Sequence, residues 1–189
     1  MKPLLGWNIV FALGAALTAA VPAHAQDLAG WSPDLMFLQW GKAEDASSSS
    51  LGVIWQSDWG RSLGAGRVSL YWEAGVGRWR AEYAETGSRS SWVTQLGVTP
   101  VLRWNLGSAG PQWFVEGGIG ANVLLPIYRS REKRFSTAFN FGDHLGLGLQ
   151  FGEGDRHELV LRVQHFSNGG IKRPNPGEDF VQVRYVLHL

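Results

Sequence analysis

Residues 91–104 read Ser-Trp-Val-Thr-Gln-Leu-Gly-Val-Thr-Pro-Val-Leu-Arg-Trp, and the largest apolar side chains stand at even-numbered positions. Apolar residues at every second position are typical of a β-strand with one apolar face. Trp92 and Trp104 share that face. At about 3.3 Å per residue and a tilt near 40°, they lie roughly 30 Å apart along a membrane normal. The aromatic girdles of outer-membrane barrels have about this spacing, so the stretch predicts a strand that crosses a bilayer.

The same alternation predicts eight strands in all. They lie near residues 35–42, 51–60, 67–79, 91–104, 112–124, 139–151, 157–166 and 179–189. The face opposite the apolar one carries charges and amides, namely Glu73, Glu116, Asn122, Asn140, His144, Gln150, Arg162, Gln164, Gln182 and Arg184. A soluble barrel with its apolar face inward would show the same alternation. The polar groups favour the hydrogen-bonded interior of a narrow membrane barrel.

The connections between these strands alternate in length. Those near 61–66, 105–111 and 152–156 are short, whereas those at 43–50, 80–90, 125–138 and 167–178 are longer. Outer-membrane barrels with both termini in the periplasm have short periplasmic turns and long external loops. We therefore predict an all-β fold, an eight-stranded antiparallel transmembrane β-barrel of the bacterial outer membrane.

Composition narrows the possible functions. The chain has 25 Gly and 10 Trp, and its 17 basic and 16 acidic residues give a net charge of +1, so nucleic-acid binding is not expected. The absence of Cys excludes disulfide frameworks and thiolate metal sites. We see no metal-binding constellation and expect no cofactor.

The first 25 residues have the pattern of a secretory signal peptide. Lys2 precedes an apolar stretch from Leu4 to Val21, and Ala23-His24-Ala25 forms a small-residue cleavage site. A membrane anchor is the alternative, but the stretch is rich in Ala and ends at the small-residue site. We predict cleavage of residues 1–25 and a single barrel domain at 26–189.

A polar pair interrupts the lipid-facing row of the seventh predicted strand. Leu159, Leu161 and Val163 continue in the same phase into His165 and Ser167. Polar groups that face lipid cost free energy unless they are satisfied. An imidazole beside a hydroxyl supplies a base next to a nucleophile. Because side chains fill the interior of an eight-stranded barrel, transport is a poor hypothesis, and we expect function on the wall or loops.

The following segment offers partners for this pair. Glu178 and Asp179 begin the neighbouring antiparallel strand, and either carboxylate can reach His165 to orient it. Asn175, between two prolines, can offer an amide donor to a developing oxyanion.

The motif His-Phe-Ser-Asn-Gly-Gly-Ile-Lys at 165–172, followed by Pro-Asn-Pro-Gly-Glu at 174–178, resembles the active-site signature of the PagL family of lipid A 3-O-deacylases. The resemblance implies an eight-stranded outer-membrane barrel that hydrolyses the ester at position 3 of lipid A without metal, releasing a 3-hydroxy fatty acid. It implies His165 as base, Ser167 as nucleophile, Glu178 as orienting acid and Asn175 as oxyanion-hole donor. Strand alternation instead places Asp179 on the lipid side. We favour Glu178, on the hypothesis that a bulge at Gly177 turns it outward.

A basic cluster in the third long loop suggests how an anionic substrate is held. Arg129, Arg131, Lys133 and Arg134 could contact phosphates of lipopolysaccharide, although an ordinary solvated loop is the alternative. The expected partners are lipopolysaccharide and outer-membrane lipids, with the active site facing the outer leaflet and the protein a monomer or homodimer. Alternative functions are an outer-membrane phospholipase and a non-enzymatic structural or adhesion barrel.

Overall fold

The computed structural model describes residues 32–83, 89–107 and 111–189, so the predicted signal peptide at 1–25 lies outside the described residues. Eight strands make up most of this part of the chain. They are β1 (Leu35–Lys42), β2 (Ala46–Leu63), β3 (Gly66–Tyr83), β4 (Arg89–Asn105), β5 (Gln112–Leu125), β6 (Phe139–Phe151), β7 (His157–Ser167) and β8 (Glu178–His188). A 3-10 turn, Glu153–Asp155, connects β6 to β7. No helix in the described ranges has the length and apolar character needed to cross a membrane.

The strands form one closed antiparallel barrel. Each strand pairs with the next along the chain, and β8 closes the barrel by pairing with β1. Full closure leaves no strand edge unpaired. The predicted eight-stranded antiparallel barrel is therefore confirmed.

Two of the predicted long loops are shorter than expected. The connection between β1 and β2 is residues 43–45 rather than 43–50, and β3 and β4 occupy much of the predicted 80–90 loop. Ser47 to Ser50 pair with β1 on one side and with β3 on the other. Ladder pairing on both sides thus outweighs the weak strand preference of a serine run. The long connections at the end of the barrel opposite Leu35 and His188, here called the distal end, are 126–138 and 168–177.

The two faces of the wall have the predicted polarity. Trp92 and Trp104 face outward and are 51% and 41% exposed. The aliphatic residues between them on the same face also point outward. The predicted inward residues are buried, except for Gln150, which is half-buried.

Paired charges fill the middle of the barrel. Three buried arginines are matched by three buried glutamates, and the set is Arg103, Arg162, Arg184, Glu73, Glu116 and Glu158. Arg103 donates to Glu158 at 2.7 Å and to Glu116 at 3.0 Å. Because buried charges are stable only when paired and hydrogen-bonded, this network fills the lumen with fixed ion pairs.

An aromatic cluster closes the distal end. Loop 126–138 folds inward so that Tyr128 and Phe135 are buried, with their ring centroids 5.0 Å apart. Trp79 lies 5.3 Å from Tyr128 and 4.8 Å from Phe166 of β7. The loop is therefore packed against the inner side of the strand that carries His165 and Ser167.

Candidate active site

His165 and Ser167 lie on the outer wall of β7, as the strand phase predicts. Both side chains are partly exposed, while Phe166 between them is buried inside the barrel. Leu159, Leu161 and Val163 continue the same outward row and are about half exposed. The imidazole and the hydroxyl therefore stand at the distal end of an apolar stripe.

Asp179 orients the imidazole. The Nδ1–H of His165 donates to Asp179 Oδ1 at 2.7 Å, and the two residues are directly opposite each other in the β7–β8 pairing. Their side chains are 40% and 79% exposed, so the contact lies on the outer wall. With Nδ1 bound to a carboxylate, Nε2 keeps the lone pair that can accept a proton.

Glu178 does not occupy the position that the sequence analysis favoured. Its side chain points into the barrel, where it accepts hydrogen bonds from Tyr128 Oη at 2.6 Å and from Lys133 Nζ at 2.9 Å. The expected position of Glu178 beside His165 is therefore wrong, and Asp179 occupies that position instead. β8 keeps its period of two from its first residue, which sends Glu178 inward and Asp179 outward.

Gly177 contributes to the site in a different way from the expected bulge. It has a φ of 72°, and a Cβ at this position would lie 2.5 Å from Cε1 of His165. The ring thus packs directly on the Gly177 backbone, where only glycine fits.

Loop 168–177 is organised around Asn168, a buried residue that the sequence analysis missed. Its Nδ2 donates to Ser136 Oγ at 3.0 Å and to the Lys172 carbonyl at 2.7 Å, and its Oδ1 accepts the Gly170 N–H at 2.9 Å. Its backbone N–H donates to Asn175 Oδ1 at 2.9 Å. The Asn175 side chain is thereby fixed through its oxygen, and its NH₂ group has no acceptor among the described residues. Asn before Gly-Gly was the available sequence signal for such a loop.

Ser167 is held by the same loop. Its Oγ accepts the backbone N–H of Gly169 at 3.4 Å, and within the described part of the chain it makes no hydrogen bond to His165. Catalytic hydrogen bonds are often long or unformed before substrate binds. Ser167 and His165 are thus adjacent on one face, with the contact between them not yet closed.

A groove in the outer wall runs from His165 and Asp179 across the neighbouring strands. Its volume is about 800 Å³, and its lining includes His165, Asp179, Val163 and Ile119. Gly117 and Gly118 of β5 leave room along its floor because they carry no side chain. The groove is mostly apolar and opens sideways from the barrel, so it can accept an extended hydrocarbon chain.

A second carboxylate also lines this groove. Asp143 of β6 is exposed and pairs in register with His165, on the side opposite Asp179. No sequence motif marks Asp143 as a site residue, although the outward phase of Phe141 and Leu145 predicts its direction.

Comparison with known proteins identifies the family to which this chain belongs. The sequence model of the family described as lipid A 3-O-deacylase (PagL) matches residues 49–188, which include every strand from β3 to β8. The chain belongs to the PagL family. The resemblance seen in the 165–178 motif is thereby confirmed over most of the chain.

Two curated relatives and one solved structure agree with the PagL assignment. Lipid A deacylase PagL of Bordetella bronchiseptica is 35% identical over 100% of this chain and 96% of its own length. Lipid A deacylase PagL of Pseudomonas aeruginosa is 28% identical over 100% of both. The crystal structure of the outer membrane enzyme PagL superposes with a TM-score of 0.69, at 26% identity, covering 82% of this chain and 99% of that chain. The protein is thus an outer-membrane β-barrel of an ester-hydrolysing family.

In this PagL-family barrel, fewer basic side chains of loop 126–138 are available to bind an anion than the sequence suggested. Arg131 pairs with buried Asp45 at 3.1 Å, and Lys133 pairs with Glu178 at 2.9 Å. Partial burial acts to lower the pKa of Lys133, but the hydrogen bond and charge of Glu178 outweigh it and raise that pKa. Among the residues that the structure describes, the exposed Arg129 and Arg134 have no carboxylate partner. They are the members of the cluster that remain open to an anion.

Across 32–83, 89–107 and 111–189, no three His, Asp or Glu side chains come together in a way that could hold a metal ion.

Proposed function

We propose that this protein hydrolyses the ester at position 3 of lipid A and releases a 3-hydroxy fatty acid, using Ser167, His165 and Asp179 as its triad. The observation that carries the proposal is the 2.7 Å hydrogen bond from His165 to Asp179 on the outer wall, with Ser167 in the same row. Asp179 replaces Glu178 as the orienting acid. Family membership and the names of the curated relatives support lipid A as the substrate.

The first half of the reaction forms an acyl-enzyme. Ser167 Oγ attacks the ester carbonyl carbon while Nε2 of His165 takes its proton, and Asp179 stabilises the resulting imidazolium through Nδ1–H. The tetrahedral intermediate then expels the sugar 3-oxygen, which receives the proton from Nε2. The acyl chain remains esterified to Ser167.

Asn175 stabilises the negative oxygen of the intermediate. Its Oδ1 is engaged by the Asn168 N–H, so its Nδ2 is the donor left for an oxyanion. A fixed donor aimed at developing charge needs no reorganisation during the reaction. In the second half of the reaction, water attacks the acyl-enzyme with His165 as base, freeing the 3-hydroxy fatty acid and Ser167.

The substrate reaches the site laterally from the outer leaflet. The barrel interior is filled by ion pairs, whereas the groove beside His165 and Asp179 is on the wall. The acyl chain lies in this groove, and the phosphates of lipid A lie at the distal end near Arg129 and Arg134. The active site therefore faces the outer leaflet.

The test compares two lipids on the purified barrel in detergent micelles. Mass spectrometry should show that wild-type protein removes one 3-hydroxyacyl chain from lipid A and leaves phospholipid intact. The Ser167→Ala variant should leave both lipids intact. Turnover of phospholipid in place of lipid A would favour a phospholipase, and equal lipid A turnover by folded Ser167→Ala would exclude this site.

A further inference from the structure

Glu178 is a buried carboxylate directly behind the outward-facing triad. Its residue exposure is 0%, and it pairs in register with Phe166, which lies between His165 and Ser167. A buried charge persists only when partners neutralise it and satisfy its hydrogen bonds. The proposed reaction uses Asp179 and gives this neighbouring carboxylate no chemical step.

Both oxygens of Glu178 are held by loop 126–138. Tyr128 donates to Oε2 at 2.6 Å and Lys133 donates to Oε1 at 2.9 Å. Burial and the hydrogen bond to Glu178 raise the pKa of Tyr128, so its hydroxyl keeps its proton at neutral pH. Tyr128 is fully buried and packs edge-on against Trp79 and Phe135. The carboxylate thus ties the first residue of β8 to a packed aromatic cluster.

The chain neighbours of Glu178 are both in contact with the catalytic imidazole. Gly177 lies against the Cε1 edge of the His165 ring, and Asp179 binds its Nδ1. A displacement of Glu178 therefore moves both contacts together. Misplacement of reacting groups by about 1 Å can lower a rate about 100-fold.

The same loop supports the oxyanion side of the site. Ser136 of loop 126–138 donates to the Lys172 carbonyl at 2.9 Å and accepts from Asn168 at 3.0 Å. Asn168 in turn holds Asn175. Loop 126–138 is thus joined to the site at two points, through Glu178 on β8 and through Ser136 on loop 168–177.

We propose that Glu178 is a positioning residue: by binding Lys133 and Tyr128 it locks loop 126–138 against the start of β8 and so holds Asp179 and Gly177 against His165. The proposal rests on the proposed function for its kinetic consequences. Its structural consequence, a loop held by one buried carboxylate, does not depend on the substrate.

The kinetic test compares Glu178→Gln with Asp179→Asn, using lipid A in micelles and barrels checked for folding by heat-modifiable gel mobility. Glu178→Gln should lower kcat about 10- to 100-fold, with KM within about threefold of wild type and an unchanged pH profile, because the imidazole keeps its carboxylate. Asp179→Asn should lower kcat and alter the pH profile, because it removes the charge beside the imidazole.

Two further variants separate positioning from general damage. Lys133→Met leaves Glu178 without its cation and should also lower kcat. The double variant Glu178→Gln/Lys133→Met should be less impaired than the two losses combined, since neither charge is left unpaired. Glu158→Gln is the matched control because Glu158 is equally buried, binds Arg103, and lies seven residues before His165, roughly 23 Å along β7. It should keep kcat within about twofold.

Amide hydrogen exchange of the same variants, without substrate, tests separately whether Glu178 holds loop 126–138 against β8. Exchange in residues 168–179 should be about tenfold faster in Glu178→Gln and unchanged in Glu158→Gln. If the wild-type barrel leaves lipid A intact, the proposed function is wrong. Hydrogen exchange would still test whether Glu178 holds the loop. A folded Glu178→Gln with wild-type kcat and exchange would overturn the proposal. So would an altered pH profile in Glu178→Gln beside a normal one in Asp179→Asn, because Glu178 would then be the orienting acid.

Discussion

At the scale of single residues, the site consists of polar groups on a wall that otherwise faces lipid with aliphatic side chains. His165 and Asp179 satisfy each other through a 2.7 Å hydrogen bond, which offsets part of the cost of placing them there. Ser167 accepts a hydrogen bond from the Gly169 N–H at 3.4 Å, and we expect its hydroxyl to turn toward the imidazole when substrate binds. Ester hydrolysis at this site requires His165, Asp179 and Ser167 to act together.

We expect His165→Ala and Ser167→Ala each to abolish deacylation in folded barrels. Loss of the base or the nucleophile of a triad lowers kcat by about 10⁴- to 10⁶-fold. The measurement is release of 3-hydroxy fatty acid from lipid A, with folding checked in parallel. Because the two residues act together, the double variant should be no slower than either single one; additive losses would indicate separate roles.

We expect Asn175→Ala to lower kcat about 10²- to 10³-fold with little effect on KM. In the proposed mechanism the amide stabilises charge that exists only in the transition state, so its loss should spare ground-state binding. Steady-state kinetics on lipid A in micelles measures both constants. A rise in KM with unchanged kcat would place Asn175 in substrate binding instead.

Gly177→Ala should reduce kcat by about 100-fold while the barrel stays folded. The new Cβ would meet the His165 ring at 2.5 Å and would turn it away from Asp179. Gly64→Ala is the matched control, since Gly64 has a similar φ of 60° and open space where a Cβ would stand. Equal effects of the two substitutions on kcat would assign the loss to backbone strain rather than to the imidazole.

At the scale of elements, strand alternation predicted most of what the structure contains. The outward phase of β7 placed His165 and Ser167 correctly, and the same rule placed Asp179 outward. The preference for Glu178 was wrong about its position because it relied on a bulge that β8 does not have. A period of two follows from the pleat and holds wherever the ladder is unbroken, as it is between β7 and β8.

Loop contacts could not be predicted in the same way. Asn168 binds Ser136, and Lys133 binds Glu178, across 32 and 45 positions of the sequence. No periodicity relates such residues, since their meeting depends on how loop 126–138 folds into the barrel mouth. The sequence therefore identified the basic residues of this loop but not which of them are already paired.

Asn168→Ala tests the loop at this scale. It removes the side-chain bonds to Ser136, Lys172 and Gly170, so loop 168–177 should loosen around Asn175. We expect kcat to fall about 10- to 100-fold, together with faster amide exchange in 168–177. Normal exchange with a reduced kcat would instead give Asn168 a direct role in the reaction.

At the scale of the whole molecule, the barrel has a filled interior, and the proposed active site lies on its outer wall. Balanced ion pairs fill the lumen, and the aromatic cluster closes the distal end. A multi-acyl lipid can therefore approach only from the side.

Export to the outer membrane agrees with the proposed removal of residues 1–25, and an intact mass that begins at Gln26 would verify it.

The basic loop should discriminate between substrates. Arg129→Gln/Arg134→Gln should weaken turnover of phosphorylated lipid A about tenfold or more, while a short neutral ester is hydrolysed at the wild-type rate, since only lipid A loses charge-assisted contacts. Arg61→Gln/Arg67→Gln, at the opposite end of the barrel, is the charge-matched control. Equal losses on both esters would show that the two arginines do not bind phosphate.

The proposed mechanism requires above all that Ser167 is an activated nucleophile that lipid can reach from the side. A long-chain alkyl phosphonofluoridate, which transfers phosphorus to such a serine and releases fluoride, tests this on the micelle-bound barrel by peptide mass spectrometry. We predict one adduct, on Ser167, that is lost in His165→Ala, strongly reduced in Asp179→Asn and blocked by excess lipid A. An adduct on another residue, or labelling of Ser167 that is indifferent to His165 and to lipid A, would contradict the account.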